Sequence, residues 1–313
     1  MRRTRPFTYI ALAVLALGTL GRAAQSPPTA DPLVRENATR KLSSHVYVIP
    51  DNNVPLVPNV GIIVGSGATL VIDTGLGPRN GETVLREASK VSAARELYLS
   101  VTHVHPEHDL GAQAFPAATT MIPSRDQDAD IAEFGLQLAN TFASQSPVRA
   151  DLLRGAAFRK TDVSFDRDYV LDLGGVRVRM TAVGPTHTRG DTVFFVEGDN
   201  VLFAGDVVMS AFPAFASPYS SVRAWLVALD RLEAMKPATI VPSHGRLVDA
   251  SMIGIYREYL RGVQARSRDL KQAGRSADEA AATIQAEMQQ KFPGMAQPAR
   301  VGAAVQAAYK EAP

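Results

Sequence analysis

The chain has no cysteine among its 313 residues. That absence excludes disulfides, Cys-ligated zinc, iron–sulfur clusters and a cysteine nucleophile, so any metal site must be built from His, Asp and Glu. It also has no Gly-x-Ser-x-Gly element to present a serine nucleophile. A surplus of charge is missing too: 33 basic residues face 31 acidic ones. Four of the bases, Arg2, Arg3, Arg5 and Arg22, lie in the first 23 residues, and the other 29 against 31 acids leave a net −2. Nothing in that balance points to a nucleic-acid partner. Apolar residues make up 46% and charged residues 20%, which excludes a disordered chain. A chain of this length can bury a core without covalent staples.

The apolar run from Ile10 to Leu20 falls short of the roughly 20 residues a membrane span needs. Preceded by the basic stretch Met1 to Arg5 and followed by Gly21-Arg22-Ala23, it reads as a signal peptide over 1–23, cleaved after Ala23. The expected product is periplasmic or secreted, with no stable membrane anchor. Residues 24–40, polar and Pro-rich from Gln25 to Pro32, are expected to form a linker. At the other end, Ile255, Tyr259, Leu260 and Val263, then Ala280, Ile284 and Met288, recur at helical spacing. Gly274 and Lys291 to Pro298 divide 251–313 into about three helices packed on the main body. A homo-oligomer contact or a cover over a pocket is open to them, and no residue pattern decides it.

Residues 41–250 alternate short β-rich runs with helical ones. Strands are expected over 45–49, 61–64, 69–72, 97–101, twice within 169–183, and over 192–196, 201–204 and 239–241. Helices are expected over 81–92, 127–142 and 222–235. Two clusters of strands with helices between them predict a layered α/β domain.

The polar residues of interest follow these strands. Three of the six histidines, His103, His105 and His108, fall within six residues after the strand 97–101. On an extended segment His103 and His105 share a side, about 7 Å apart, where two imidazoles can converge on one metal ion. Glu107 adds a carboxylate. His187, Asp206 and His244 each follow a later strand. Alone, each would be an ordinary loop residue; together they predict ligands gathered at one sheet edge. His45 begins an early strand without such a context and reads as structural or exposed.

These residues resemble the metallo-β-lactamase superfamily, whose signature is His-x-His-x-Asp-His after a strand, then separate His, Asp and His ligands. The resemblance covers about residues 40–250. It implies an α/β fold, a four-layer αββα sandwich, carrying here a C-terminal helical extension. It also implies two Zn²⁺ ions: the first held by His103, His105 and His187, the second by His108, His244 and a carboxylate, with Asp206 bridging. Asp73, in Ile72-Asp73-Thr74-Gly75, matches an early family motif that supports the site. Asp109 and Asp191 are candidates for orienting the ligand imidazoles, or for capping.

The departure from the family pattern is Glu107, one methylene longer than the usual Asp. It could bind the second metal, act as the general base, or leave only one ion, Zn or Fe, in place. The chemistry implied is attack of a metal-activated water on a small-molecule substrate, with Asp206 and Glu107 as the catalytic carboxylates. Asp206 at the bridging position looks more like thioesterases and lactonases of the glyoxalase II type than like β-lactamases. An exported ester, thioester or lactone hydrolase is therefore expected. The alternatives are a β-lactamase, a mononuclear iron dioxygenase of sulfur compounds, and a non-catalytic periplasmic metal-binding protein.

Overall fold

The computed structural model describes residues 30–94 and 96–313. The expected signal peptide, 1–23, lies outside the described residues. The first sheet holds, in spatial order, β1 (Arg40–Lys41), β2 (Val46–Ile49), β3 (Val60–Val64), β4 (Ala68–Ile72), β5 (Glu96–Ser100) and β6 (Thr120–Met121). The second holds β7 (Asp168–Asp172), β8 (Arg177–Ala182), β9 (Thr192–Val196), β10 (Val201–Gly205) and β11 (Thr239–Pro242), again in sequence order across the sheet. The helices are α1 (Pro78–Val91), α2 (Pro106–Asp109), α3 (Arg125–Asp130), α4 (Leu136–Ser144), α5 (Pro147–Leu152), α6 (Val222–Ala234), α7 (Ser251–Gln272), α8 (Ala277–Lys291) and α9 (Val301–Glu311).

The central strands are apolar along their whole length because both faces are covered. On the inner faces, Ile63, Leu70 and Ile72 meet Met180, Phe194 and Phe203 of the other sheet. On the outer face of the first sheet, Ile62, Val71 and Leu99 pack on Val84 and Ala88 of α1. Leu202, Ala204 and Ile240 of the second sheet pack on Trp225, Leu229 and Leu232 of α6. The result is a four-layer αββα sandwich. The sheets approach so closely at Gly61 that a Cβ there would lie 2.6 Å from the Phe203 ring. Any larger residue there would have to push that buried ring aside.

The three expected C-terminal helices are present, and they belong to the core. Tyr256, Tyr259 and Leu260 of α7, Ile284 of α8 and Val305 of α9 share one buried cluster with Trp225 and Leu202. Two expectations need correction. The linker over 24–40 does not run free beyond Pro32: Val34 is buried, its N–H donates to Asn80 Oδ1 (2.8 Å), and Asn80 Nδ2 donates to Pro32 O (2.9 Å). The helix expected over 127–142 is interrupted by a π-helical turn, Ile131–Gly135, between α3 and α4.

Strand direction decides where the loops collect. β4 and β5 are parallel, as are β10 and β11, and β8 runs the same way as β10 across antiparallel β9. The segments leaving β4, β5, β8, β10 and β11 therefore emerge at one edge. Asn59 ties the sheets together there, its side chain donating to Pro242 O and Gly245 O at 2.9 Å each.

Candidate metal centre

All seven expected ligand residues meet at that edge. His103 and His105 lie on the turn after β5, and Glu107 and His108 on α2. His187 lies on the loop after β8, Asp206 directly after β10, and His244 after β11. His103 Nε2 and His187 Nε2 stand 3.0 and 3.3 Å from His105 Nδ1. Three sets offer ligand atoms within 4.8 Å of one another: His103, His105 and His187; His103, His108 and Asp206; Glu107, His108 and His244. The middle set shares a histidine with each of the others, so Asp206 stands between two adjacent triads. Glu107 falls in the second triad; its longer side chain reaches that point from the first turn of α2.

The outward nitrogens are tied down. His108 Nδ1 is 2.9 Å from Asp73 Oδ2, His187 Nδ1 is 2.7 Å from Ala214 O, and His244 Nδ1 is 3.0 Å from Val57 O. Thr102 Oγ1 sits 3.1 Å from His103 Nδ1. Such ties fix ring orientation and leave the opposite nitrogen for a metal. Asp73 has φ 66°, a left-handed conformation that a non-glycine residue holds only when its surroundings enforce it. Its carboxylate accepts from Thr102 N–H (2.7 Å) and Thr102 Oγ1 (3.0 Å) as well as facing His108.

The other two expected supporting acids sit differently. Asp191 touches no ligand imidazole; it accepts from Thr188 N–H (2.9 Å) and Thr188 Oγ1 (2.6 Å), and from Thr186, shaping the loop that carries His187. Asp109 is buried with neither oxygen hydrogen-bonded. Burial and the nearby Asp73 carboxylate push it up to about 7. His45 stands apart, paired with Asp199 at 2.8 Å.

The donor set fits a cation. Glu107 Oε2, His108 Nε2 and Asp206 Oδ1 are buried and have no hydrogen-bond partner. Unpartnered polar atoms are costly in a core unless something else meets them. Burial and the neighbouring imidazoles hold His103 and His105 well below the ordinary histidine value, in the neutral form that ligates. Burial opposes a charge on Asp206, but His187, His244, His108 and Arg300 outweigh it and hold the carboxyl well below the usual carboxylate range. Burial likewise opposes a charge on His108, and Asp73 overcomes it, raising that imidazole to about 9.

The cluster opens into a cavity of about 610 Å³. Its walls come from the 51–56 loop, Phe142 of α4, the Met209–Ala211 segment, Arg246, and the stretch from Ala296 to Arg300. A second cavity, about 260 Å³, lies on the other side of His105 between Phe134, Leu138 and Pro218. Several of these residues had no sequence signal: Phe142 sits in α4, and Gln297 and Arg300 lie at the turn before α9, far from the histidines in sequence. Thr102 and Arg246 adjoin ligands, and adjacency was the available clue.

An αββα sandwich with linked His and carboxylate triads at the sheet edge defines the class: a metal-centred α/β protein. The chain belongs to the metallo-beta-lactamase superfamily, whose sequence model matches residues 53–244. It is similar to the acyl-coenzyme A thioesterase MBLAC2 of Homo sapiens, 29% identical over 187 residues. That match covers 56% of this chain and 66% of the relative, just under two thirds of its length. The fold is similar to that of the inverting sec-alkylsulfatase Pisa1 from Pseudomonas sp. (TM-score 0.68, 14% identity, 88% of this chain and 50% of that one). It is also similar to a metallo-beta-lactamase from Pontibacter korlensis (TM-score 0.57, 21% identity, 71% of this chain and 98% of that one).

Proposed function

We propose that this protein is an exported, zinc-dependent hydrolase of thioesters. The observation that carries the reading is the pair of adjacent ligand triads joined by Asp206 on the wall of the 610 Å³ cavity. The similarity to a protein named as an acyl-coenzyme A thioesterase favours thioesters over other acyl compounds. Export rests on the basic stretch and apolar run within residues 1–23.

His103, His105 and His187 would hold one ion, and Glu107, His108 and His244 the other, with Asp206 shared. Ions bound there supply an activated water at neutral pH and charge to stabilise the oxyanion of an acyl-transfer reaction. The chain itself does the rest. Asp206 is held ionised, so it anchors and orients and does not store a proton. Glu107 Oε2, buried beside the cavity with no hydrogen-bond partner, is placed to meet the second ion. Val104, Phe134 and Leu138 on the far side of His105 give an apolar arm of an acyl group somewhere to lie.

The test is cleavage of a panel of acyl thioesters, a lactone, an aryl ester and a chromogenic cephalosporin by the metal-analysed protein. Thioester cleavage that a chelator stops and zinc restores is the expected result. Cephalosporin cleavage without thioester cleavage would make it a β-lactamase. Oxygen uptake with iron in the purified protein would make it an oxygenase.

A further inference from the structure

We propose that Arg300 and Arg246 form an anion subsite on the wall of this cavity, so that the substrate carries a carboxylate or phosphate away from its scissile bond. The inference rests on the reading of the cavity as the substrate site and names the chemistry of what enters it.

Both arginines line the cavity together with His105, Glu107, His187, Asp206 and His244. Neither belongs to an ion pair among the described residues, whereas Arg86, Arg189, Arg257 and Arg266 all do. The one acid on the wall outside the metal triads, Asp51, is already engaged. Its Oδ2 accepts from Gly245 N–H (2.6 Å) and its Oδ1 from Asn53 N–H (3.0 Å). Two arginines thus line the cavity without an ion pair; Arg300 lies close enough to Asp206 to help hold that carboxyl down, but among the described residues no carboxylate meets its fork directly.

Arg300 is also held in place. Ala296 N–H donates to Ser210 O (3.3 Å) and Phe212 N–H donates to Ala296 O (3.0 Å), stitching the chain before Arg300 to the segment after Asp206. The guanidinium gives a single hydrogen bond, Nη1 to Phe212 O at 3.2 Å. An arginine has five N–H donors in a planar fork, so most remain for a ligand. A neutral amide side chain could make that one bond. The charge and the fork are what it would lack. Arg300 lies outside residues 53–244 and so outside the matched family region.

The test is calorimetric binding of uncleavable thioethers to the full, metal-loaded protein, in two matched pairs. One pair is an S-butyl thioether ending in a carboxylate and its amide; the other is S-butyl phosphopantetheine and S-butyl pantetheine. The charged member of at least one pair binds about tenfold tighter than its neutral partner, a gap that shrinks as salt is raised. Which pair shows the gap names the anion. R246Q narrows it, the double variant R246Q/R300Q closes it, and R300K retains most of it. Thermal unfolding checks that each variant is folded; Arg246 is exposed, so R246Q serves if R300Q is unstable. Equal affinities in the wild type overturn the proposal, as does a gap undiminished in the double variant, since the metal triads would then hold the anion. A gap without any thioester cleavage would remove the thioesterase reading and leave the subsite standing.

Discussion

At the scale of single residues, the proposal of two ions turns on Glu107. It shares a triad with His108 and His244, and its Oε2 has no partner in the protein. Glu107→Ala is expected to lower metal content from two ions per chain toward one, and Glu107→Asp to keep both; elemental analysis after dialysis reads this directly. A wild-type content of one would remove the two-ion reading. Asp73 acts one step further out, by orienting His108. Asp73→Asn keeps an acceptor for Thr102 but removes the charge beside His108. It should weaken metal binding by about 10–100-fold in a chelator competition. His103, His105 and His108 were legible from their spacing, His187 and His244 from their places after strands, and Asp73 from the resemblance to an early family motif. Asp109 and Asp191 were not, because being near a ligand in sequence does not say which way a carboxylate turns. Asp191 turns to Thr186 and Thr188.

Among elements, the segment after β10 supplies Asp206 and the Met209–Ala211 wall of the cavity. Tyr256 of α7 holds it from behind: its hydroxyl accepts from Met209 N–H (3.1 Å) and donates to Ala211 O (2.6 Å). Tyr256→Phe leaves both groups unmet and should cost about 1–3 kcal/mol in denaturant unfolding. On the opposite flank, the stretch before β1 docks on α1 through Glu87. Burial raises the Glu87 carboxyl, but bonds from Lys90, Thr39 and Asn37 outweigh it and leave it at about 2. Its folded value is below its unfolded one, so its stabilisation is complete above about pH 4.5 and is lost as pH falls toward 2. Glu87→Gln should flatten the acid side of the stability–pH curve in that window, by up to about 3 kcal/mol. Most strands and helices were legible from periodicity. β1 and β6 have two residues each, too few to show alternation. Docking at 32–41 runs through Asn80 and Glu87, and polar contacts of that kind leave no trace in hydropathy.

Over the whole molecule, the division between a catalytic domain and a C-terminal extension is one of sequence, not of packing. Trp225, Tyr256, Tyr259, Ile284 and Val305 are fully buried in a single cluster. Each such side chain is worth roughly 1.5–3 kcal/mol on burial. Truncation after Ala250 would bare the outer face of α6. The expected product is insoluble or expanded, with exposed apolar surface that binds a hydrophobic dye. A soluble, cooperatively melting 30–250 fragment would show that the helices are dispensable.

Arg300 reaches the cavity through the Ala296 to Phe212 stitch, and every residue proposed to hold a metal precedes it in the chain. A ribosome therefore makes the part that selects a guest after the part that would transform it. Until that late segment docks, the cavity lacks the wall that brings Arg300 to the guest.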